Sequence, residues 1–265
     1  MANDPWGLSG HVGVVTGGAS GIGRAIALAL ADAGSAVAVI DLDLAGAQNV
    51  AGEITQNGGQ ARAIHCDTAD PEALTAVAGQ VERDLGPVSV LINNAGIIRP
   101  GPLAEIDAAA WDRVLAVNLS GYFHCSRAFR PMMVARGGGS IVHVSSIAAE
   151  HPTPAAGAYS PAKAAVRMLS RQIAIEWGAE GIRSNVVSPG MIVTPLSSAM
   201  YERPGITEAR ASVIPLGRIG TPQDVAEAVL FLASTRSAYV TGADIAVDGG
   251  FAHKLLGLIP RAGYE

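Results

Sequence analysis

At 265 residues the chain is long enough for one sizeable α/β domain with a buried core. Apolar residues make up 49% and charged residues 15%, which excludes a disordered chain and points to elements buried on more than one side. A net charge of -5, with no cluster of Lys or Arg, offers no footprint for nucleic acid.

Residues 12–15 form a compact apolar run that reads as a buried strand. Thr16-Gly17-Gly18-Ala19-Ser20-Gly21-Ile22-Gly23 follows at once, and then an Ala/Leu/Ile helix to Ala33-Gly34. Strand, glycine-rich turn and helix in that order suit a pyrophosphate, because glycines let the backbone approach it and the helix start presents free N–H groups. The spacing is Gly-x-x-x-Gly-x-Gly instead of the common Gly-x-Gly-x-x-Gly. The second strand, 36–40, ends on Asp41, 18 residues after Gly23. A carboxylate there can accept from both ribose hydroxyls of an adenosine and repels a 2′-phosphate, so NAD is expected over NADP. Ser20, in place of an Arg or Lys in the turn, agrees. The competing role for Asp41 is an N-cap of the next helix, which Asp43 could also fill.

A helix over 45–56 and a strand over 61–65 lead to Cys66-Asp67-Thr68. Asp67 ends a strand at the ligand edge of an open parallel sheet, where it faces an adenine or serves the turn. A helix over 71–85, with Val77, Val81 and Leu85 as its core stripe, precedes a strand over 88–92 and Asn93-Asn94-Ala95-Gly96. Asparagine amides can hold such a turn open through backbone groups, while Ala95 and Gly96 leave room for a ribose.

One long helix is expected from about residue 111 to 135. Asn118 lies in its interior, where a satisfied buried amide is the plain reading. A strand over 140–144 ends in Ser145-Ser146. The next helix, starting near Tyr159, puts Tyr159 and Lys163 on one face with Cβ atoms about 5–6 Å apart. An ammonium beside a phenol favours the phenolate and lowers a pKa that starts at about 10, which suits an acid/base group. Pro161 fits the first turn, whose N–H groups are unpaired anyway. A strand over 184–187 runs into Ser188-Pro189-Gly190-Met191-Ile192-Val193-Thr194-Pro195, and residues 196–218 have no clean period. A helix over 222–232 opens at Thr221, a good N-cap, and a strand over 244–247 ends in Asp248-Gly249-Gly250.

Thr16-Gly17-x-x-x-Gly21-x-Gly23, Asn93-Asn94-Ala95-Gly96, Asn118, Ser146, Tyr159-x-x-x-Lys163 and Pro189-Gly190 followed by Thr194 occur in the order of the short-chain dehydrogenase/reductases. From about residue 10 to residue 250 the chain closely resembles that family. The resemblance implies a doubly wound Rossmann fold over residues 1–265: a parallel sheet of about seven strands, helices on both faces, and one dinucleotide-binding and catalytic domain. It implies that Tyr159 exchanges a proton with the substrate hydroxyl and that Ser146 hydrogen-bonds the same oxygen. Lys163 then binds the nicotinamide ribose and lowers the tyrosine pKa, and Asn118 holds a water linking the lysine to solvent. Ser146 is preferred to Ser145 because it stands thirteen residues before Tyr159, the family offset, and successive strand residues point to opposite faces.

The expected cofactor set is Gly17, Ser20, Gly21, Ile22, Gly23, Asp41, Asp67, Thr68, Asn94, Ala95, Gly96, Tyr159, Lys163, Pro189, Gly190, Ile192 and Thr194, the resemblance putting Ile192 and Thr194 at the nicotinamide carboxamide. It also makes residues 196–218 a substrate lid, with Leu196, Met200 and Tyr201 as candidates to face substrate. Glu150 and His151 line the cleft or lie on its solvated lip. Helices 111–135 and 157–178 are expected to form the interface of a homotetramer, with a dimer as the fallback. The apolar tail within 251–265 is expected to be covered, a neighbouring subunit being the natural candidate.

The expected activity is NAD-dependent interconversion of a small-molecule secondary alcohol and a ketone. No metal is expected, because the six histidines show no ligand spacing. Cys66 and Cys125 make no disulfide framework, the N-terminus shows no charged stretch before an apolar run, and the apolar runs are too short to span a bilayer. A cytoplasmic protein with no membrane partner is expected. One rival reading is an NAD(P)H-dependent 3-oxoacyl-type ketone reductase, which Asp41 opposes if NADPH is required. The other is a silent NAD-binding sensor or scaffold, which the Asn118, Ser146, Tyr159 and Lys163 set opposes.

Overall fold

The computed structural model of the chain describes residues 4–195 and 197–254. Its described strands are β1 (Val12–Thr16), β2 (Ala36–Asp41), β3 (Ala61–His65), β4 (Val90–Asn93), β5 (Gly139–Val144), β6 (Ile182–Pro189) and β7 (Asp244–Val247). The helices are α1 (Gly21–Asp32), α2 (Leu44–Gln56), α3 (Pro71–Leu85), α4 (Ala108–Leu115), α5 (Gly121–Ala135), α6 (Tyr159–Trp177), the short α7 (Ser198–Tyr201) and α8 (Ile206–Ser212), and α9 (Pro222–Ala233). The strands form one parallel sheet in the order β3-β2-β1-β4-β5-β6-β7.

Because successive strand residues face opposite ways, the apolar runs divide between two cores. Val15, Val37, Val39, Ile92 and Val142 pack with Ile26 and Leu30 of α1, Val50 and Ile54 of α2, and Val225 and Val229 of α9. Val14, Ala38, Ile40, Leu91 and Ile141 pack on the other face with Leu74, Val77 and Val81 of α3 and with Phe129 and Met133 of α5. Each Val, Leu, Ile, Phe or Met among them, fully buried, contributes about 1.5–3 kcal/mol relative to exposure.

The strand order places the site. From β1 the chain steps outward through β2 and β3, then returns to β4 on the other side of β1. Loops leaving the carboxyl ends of β1 and β4 therefore part in opposite directions, and a crevice opens between them.

Several boundaries depart from the sequence reading, β4 running from Val90 to Asn93 and not over 88–92, and two departures bear on the site. The long helix starts at Ala108 and is broken at Ala116–Ser120 by a π-helical turn that carries Asn118. The inserted turn lets the Asn118 amide hydrogen-bond both backbone groups of Ile97, which a regular helix interior offers no reason to do. β6 is longer than expected, because its pairing with β5 and β7 extends from Ile182 to Pro189. Thr221 caps α9 reciprocally with Asp224.

Candidate active site

The glycine turn is built by close approach. Gly17 has φ of 64°, and a Cβ on it would lie 2.8 Å from the Ala95 Cα. A Cβ on Gly23 would lie 2.0 Å from the Gly17 carbonyl oxygen, so both positions require glycine. Asn94 stitches β4 to this turn: its Nδ2 donates to the Thr16 and Gly17 carbonyls at 3.0 Å each. The Thr16 hydroxyl accepts from the N–H groups of Asn94 and Ala95 at 3.0 and 3.1 Å. Ser20 takes the N-cap position of α1, yet its side chain makes no capping bond, so the first-turn N–H groups keep their positive character toward the crevice.

Asp41 ends β2 with one carboxylate oxygen accepting from Ala19 N and the other from Asp43 N, both at 3.0 Å. Asp43 caps α2 by accepting from Gly46 N, which removes the capping role as an explanation of Asp41. Further along, Asp67 accepts from Ala69 N at 3.0 Å and pairs with Arg113 of α4 at 2.9 Å. The Arg113 partnership and the Ala69 bond hold its carboxyl below the usual range against the opposing effect of burial.

At the other end, Ser146 accepts from Ala148 N at 3.1 Å and lines the cleft together with Tyr159. Ser145 instead donates to the Lys163 carbonyl at 2.9 Å, so its hydroxyl faces the α6 backbone. Lys163 is 3% exposed, and its Nζ donates to the Val144 carbonyl at 2.8 Å and to the Tyr122 hydroxyl at 3.0 Å. Burial pushes its ammonium down to about 7.

Burial also raises the Tyr159 phenol above its ordinary value, opposed by the Ser146 side chain. That differs from the lowering expected of a lysine one turn away. The reason is burial, which outweighs the Lys163 ammonium, engaged with Tyr122 and Val144 and 5.8 Å from the centre of the Tyr159 ring.

One cleft of about 520 Å³ joins the two ends. It is lined by Gly17, Ser20, Gly21, Ile22, Gly23, Asp41, Asp67, Thr68, Asn94, Ala95, Gly96, Ser146, Tyr159, Lys163, Pro189, Gly190, Ile192 and Thr194, all candidates from the sequence. Asn118 does not line it. Its amide is fully buried behind Gly96, accepting from Ile97 N at 2.8 Å and donating to Ile97 O at 2.9 Å.

Glu150 and His151 are exposed and do not line the cleft; Glu150 pairs with Arg167 at 3.1 Å. Tyr201 does not line it either, its ring lying 5.1 Å from the Arg210 guanidinium carbon. Leu196, the Met200 side chain and the tail over 255–265 lie outside the described residues. The sequence reading missed Arg113, Tyr122 and Ser197, whose hydroxyl accepts from Thr194 N at 3.0 Å and donates to Ile192 O at 2.9 Å. Tyr122 carried one usable signal, since a tyrosine four residues past Asn118 in an apolar helix must find a buried partner for its hydroxyl.

A doubly wound parallel sheet with its cleft at the switch point defines the Rossmann class. A family model described as enoyl-(acyl carrier protein) reductase matches residues 17–252. The galactitol 2-dehydrogenase (L-tagatose-forming) of Cereibacter sphaeroides is 42% identical over 92% of this chain and 96% of its own length. The D-threitol dehydrogenase of Mycolicibacterium smegmatis is 39% identical over 93% and 95%. Among solved structures, a gluconate 5-dehydrogenase from Burkholderia cenocepacia, in complex with NADP and tartrate, superposes with a TM-score of 0.90 at 32% identity, over 96% of this chain and 99% of that one. The chain belongs to the short-chain dehydrogenase/reductase family and is an oxidoreductase acting on CH–OH groups.

Proposed function

We propose that the chain oxidises a secondary alcohol of a small, hydroxyl-rich molecule to the ketone, reversibly, with NAD as the preferred dinucleotide. The observation that carries this reading is the single cleft joining the Gly17–Gly23 turn and Asp41 to Ser146, Tyr159 and Lys163. The cradle fits a dinucleotide: Gly17 and Gly23 admit no side chain, and the uncapped start of α1 offers N–H groups to a pyrophosphate. Asp41, with lone pairs remaining on both oxygens, would take the adenosine ribose hydroxyls, and Asp67 and Thr68 would border the adenine. Asn94, Ala95, Gly96, Lys163, Pro189, Gly190, Ile192 and Thr194 would hold the nicotinamide half. When bound, the oxidised dinucleotide supplies the hydride acceptor and a positive ring charge.

The chain's own residues manage the proton. Ser146 holds the substrate hydroxyl and Tyr159 accepts its proton as phenolate. The Lys163 ammonium stabilises that phenolate, and Asn118 keeps the Ile97 backbone in place behind the lysine, where the resemblance puts a water. Polyol substrates are favoured by the relatives named for galactitol and threitol. The NADP in the gluconate 5-dehydrogenase structure makes the phosphate-bearing cofactor the competing choice, and Asp41 argues against it here.

Association into a homotetramer belongs to the same reading. Phe123 on α5 and Met168 and Ile175 on α6 are apolar and 38%, 60% and 80% exposed, and a partner surface would cover them. Among the described residues no helix is long and apolar enough to cross a membrane, and Cys66 and Cys125 are buried free thiols, in keeping with a reducing cytoplasm.

The test is absorbance at the reduced-nicotinamide band with a panel of polyols and other secondary alcohols, offered with NAD and separately with NADP. Turnover with NAD is the expected result. Turnover with NADP alone would overturn the cofactor assignment, and binding of either cofactor without turnover of any alcohol would favour a sensor.

A further inference from the structure

Beneath the Tyr159 and Lys163 pair lies a second phenol. Tyr122 on α5 is 1% exposed, and its hydroxyl donates to the Val144 carbonyl at 3.0 Å while accepting from Lys163 Nζ at 3.0 Å. The ring stacks on His143 at 5.9 Å between centroids, and the Tyr122 backbone carbonyl accepts from Ser126 Oγ at 2.7 Å and Asn93 Nδ2 at 3.3 Å. Lys163 Nζ lies 4.9 Å from the centre of the same ring. An ammonium has three N–H donors. Two are engaged with Tyr122 and Val144, and the third is left for the cleft, which Lys163 lines.

We propose that Tyr122 is a positioning residue for the reaction, its hydroxyl and the Val144 carbonyl forming a fixed seat that aims the remaining Lys163 N–H into the cleft beside Tyr159. The inference rests on the catalytic reading of Tyr159 and Lys163 and assigns that pair a buried support.

The seat also governs the charge. On its own helix Lys163 faces Tyr159; from α5 it faces Tyr122; from β5 it faces His143, which burial and the lysine charge together push down to about 3 and hold neutral. Burial keeps Tyr122 a neutral phenol well above its ordinary pKa. Of the nearby ions, Arg113 on α4 is paired with Asp67, and Glu150 beyond the Ile147–Ala149 turn is paired with Arg167. Among the described residues no carboxylate pairs with Lys163, so neutral acceptors alone sustain its ammonium. Removing one of them favours the amine. The charged form is lost as pH rises through the lysine pKa, so a lower pKa moves that loss to lower pH.

The chain has two lysines, Lys163 and Lys254, which makes the measurement direct. With [ε-13C]lysine, nuclear magnetic resonance gives two signals to titrate in the free protein. Tyr122→Phe, which keeps the ring, is expected to lower the Lys163 midpoint by about one to two pH units, the usual worth of a hydrogen bond to a charge. Turnover of the variant relative to the native enzyme is expected to stay within about twofold at pH 5 and to fall about tenfold or more above pH 7. Ser126→Ala, which loosens the same ring through the Tyr122 carbonyl, serves as the structural control and should leave the lysine midpoint unchanged. An unchanged midpoint in Tyr122→Phe, or a loss of turnover equal at every pH, overturns the proposal.

Should Tyr122→Phe not fold, the native protein carries the test. A slowly exchanging Lys163 ammonium with a cross-peak to the Tyr122 ring is expected, and exchange as fast as that of Lys254 overturns it. The lysine titration is read without substrate, so it stands apart from the catalytic reading; that reading fails instead if Tyr159→Phe still turns over.

Discussion

Tyr159 sits where burial raises its phenol, so its use as a base depends on the charges and hydrogen bonds around it. Replacing it with phenylalanine removes the proton acceptor and keeps the ring that lines the cleft. Tyr159→Phe is expected to lower kcat by about 10²–10⁴-fold while fluorescence titration shows cofactor affinity retained. Near-normal kcat would remove Tyr159 from the mechanism. Asp41 is a second residue-scale test. Asp41→Ala removes the charge that opposes a 2′-phosphate and is expected to shift the NAD/NADP ratio of kcat/KM toward NADP; an unchanged ratio would show that selectivity resides elsewhere.

At the scale of elements, the glycine turn and the start of α1 act as one unit. Gly23→Ala drives a methyl group to 2.0 Å from the Gly17 carbonyl, a contact relieved only by moving the turn away from Asn94. The expected outcome is loss of dinucleotide binding by calorimetric titration together with a lower melting temperature, and unchanged binding would disconnect the turn from the cofactor. The cap of α9 makes a contrast. Thr221→Ala removes a reciprocal bond with Asp224, neither residue lining the cleft, costs about 1 kcal/mol, and should lower the melting temperature by a few degrees with kcat unchanged.

For the whole molecule, buried titratable groups set how stability follows pH. Lys163 drops from an ordinary 10.5 to about 7, so above pH 7 the unfolded chain holds a proton that the folded chain has shed, and stability rises with pH. The Cys66 thiol moves the other way, from 9.0 up to about 11, and Cys125 is raised as well. Above pH 9 the unfolded thiols ionise first, and stability falls. Urea midpoints are therefore expected to climb from pH 7 to about 9 and decline beyond, and Lys163→Met should flatten the climb. A midpoint that falls steadily across pH 7–9 in the native chain would contradict the burial of Lys163 as a depressed ammonium.

Much of this was determined by the sequence alone, for physical reasons visible in short stretches. Alternating and continuous apolar runs set the strand and helix order, the glycines at 17, 21 and 23 mark a turn whose backbone can approach a pyrophosphate, and Asp41 and the Tyr159–Lys163 spacing are local geometry. What the tertiary structure decided depends on residues far apart in the chain. The π turn at Asn118 exists because Ile97 lies against it, 21 positions away. The direction of the Lys163 ammonium is set by Tyr122, 41 positions away, and Arg113 meets Asp67 across 46. No periodicity encodes such pairings, because they arise only when β4, β5, α4, α5 and α6 are brought to one rim of the sheet.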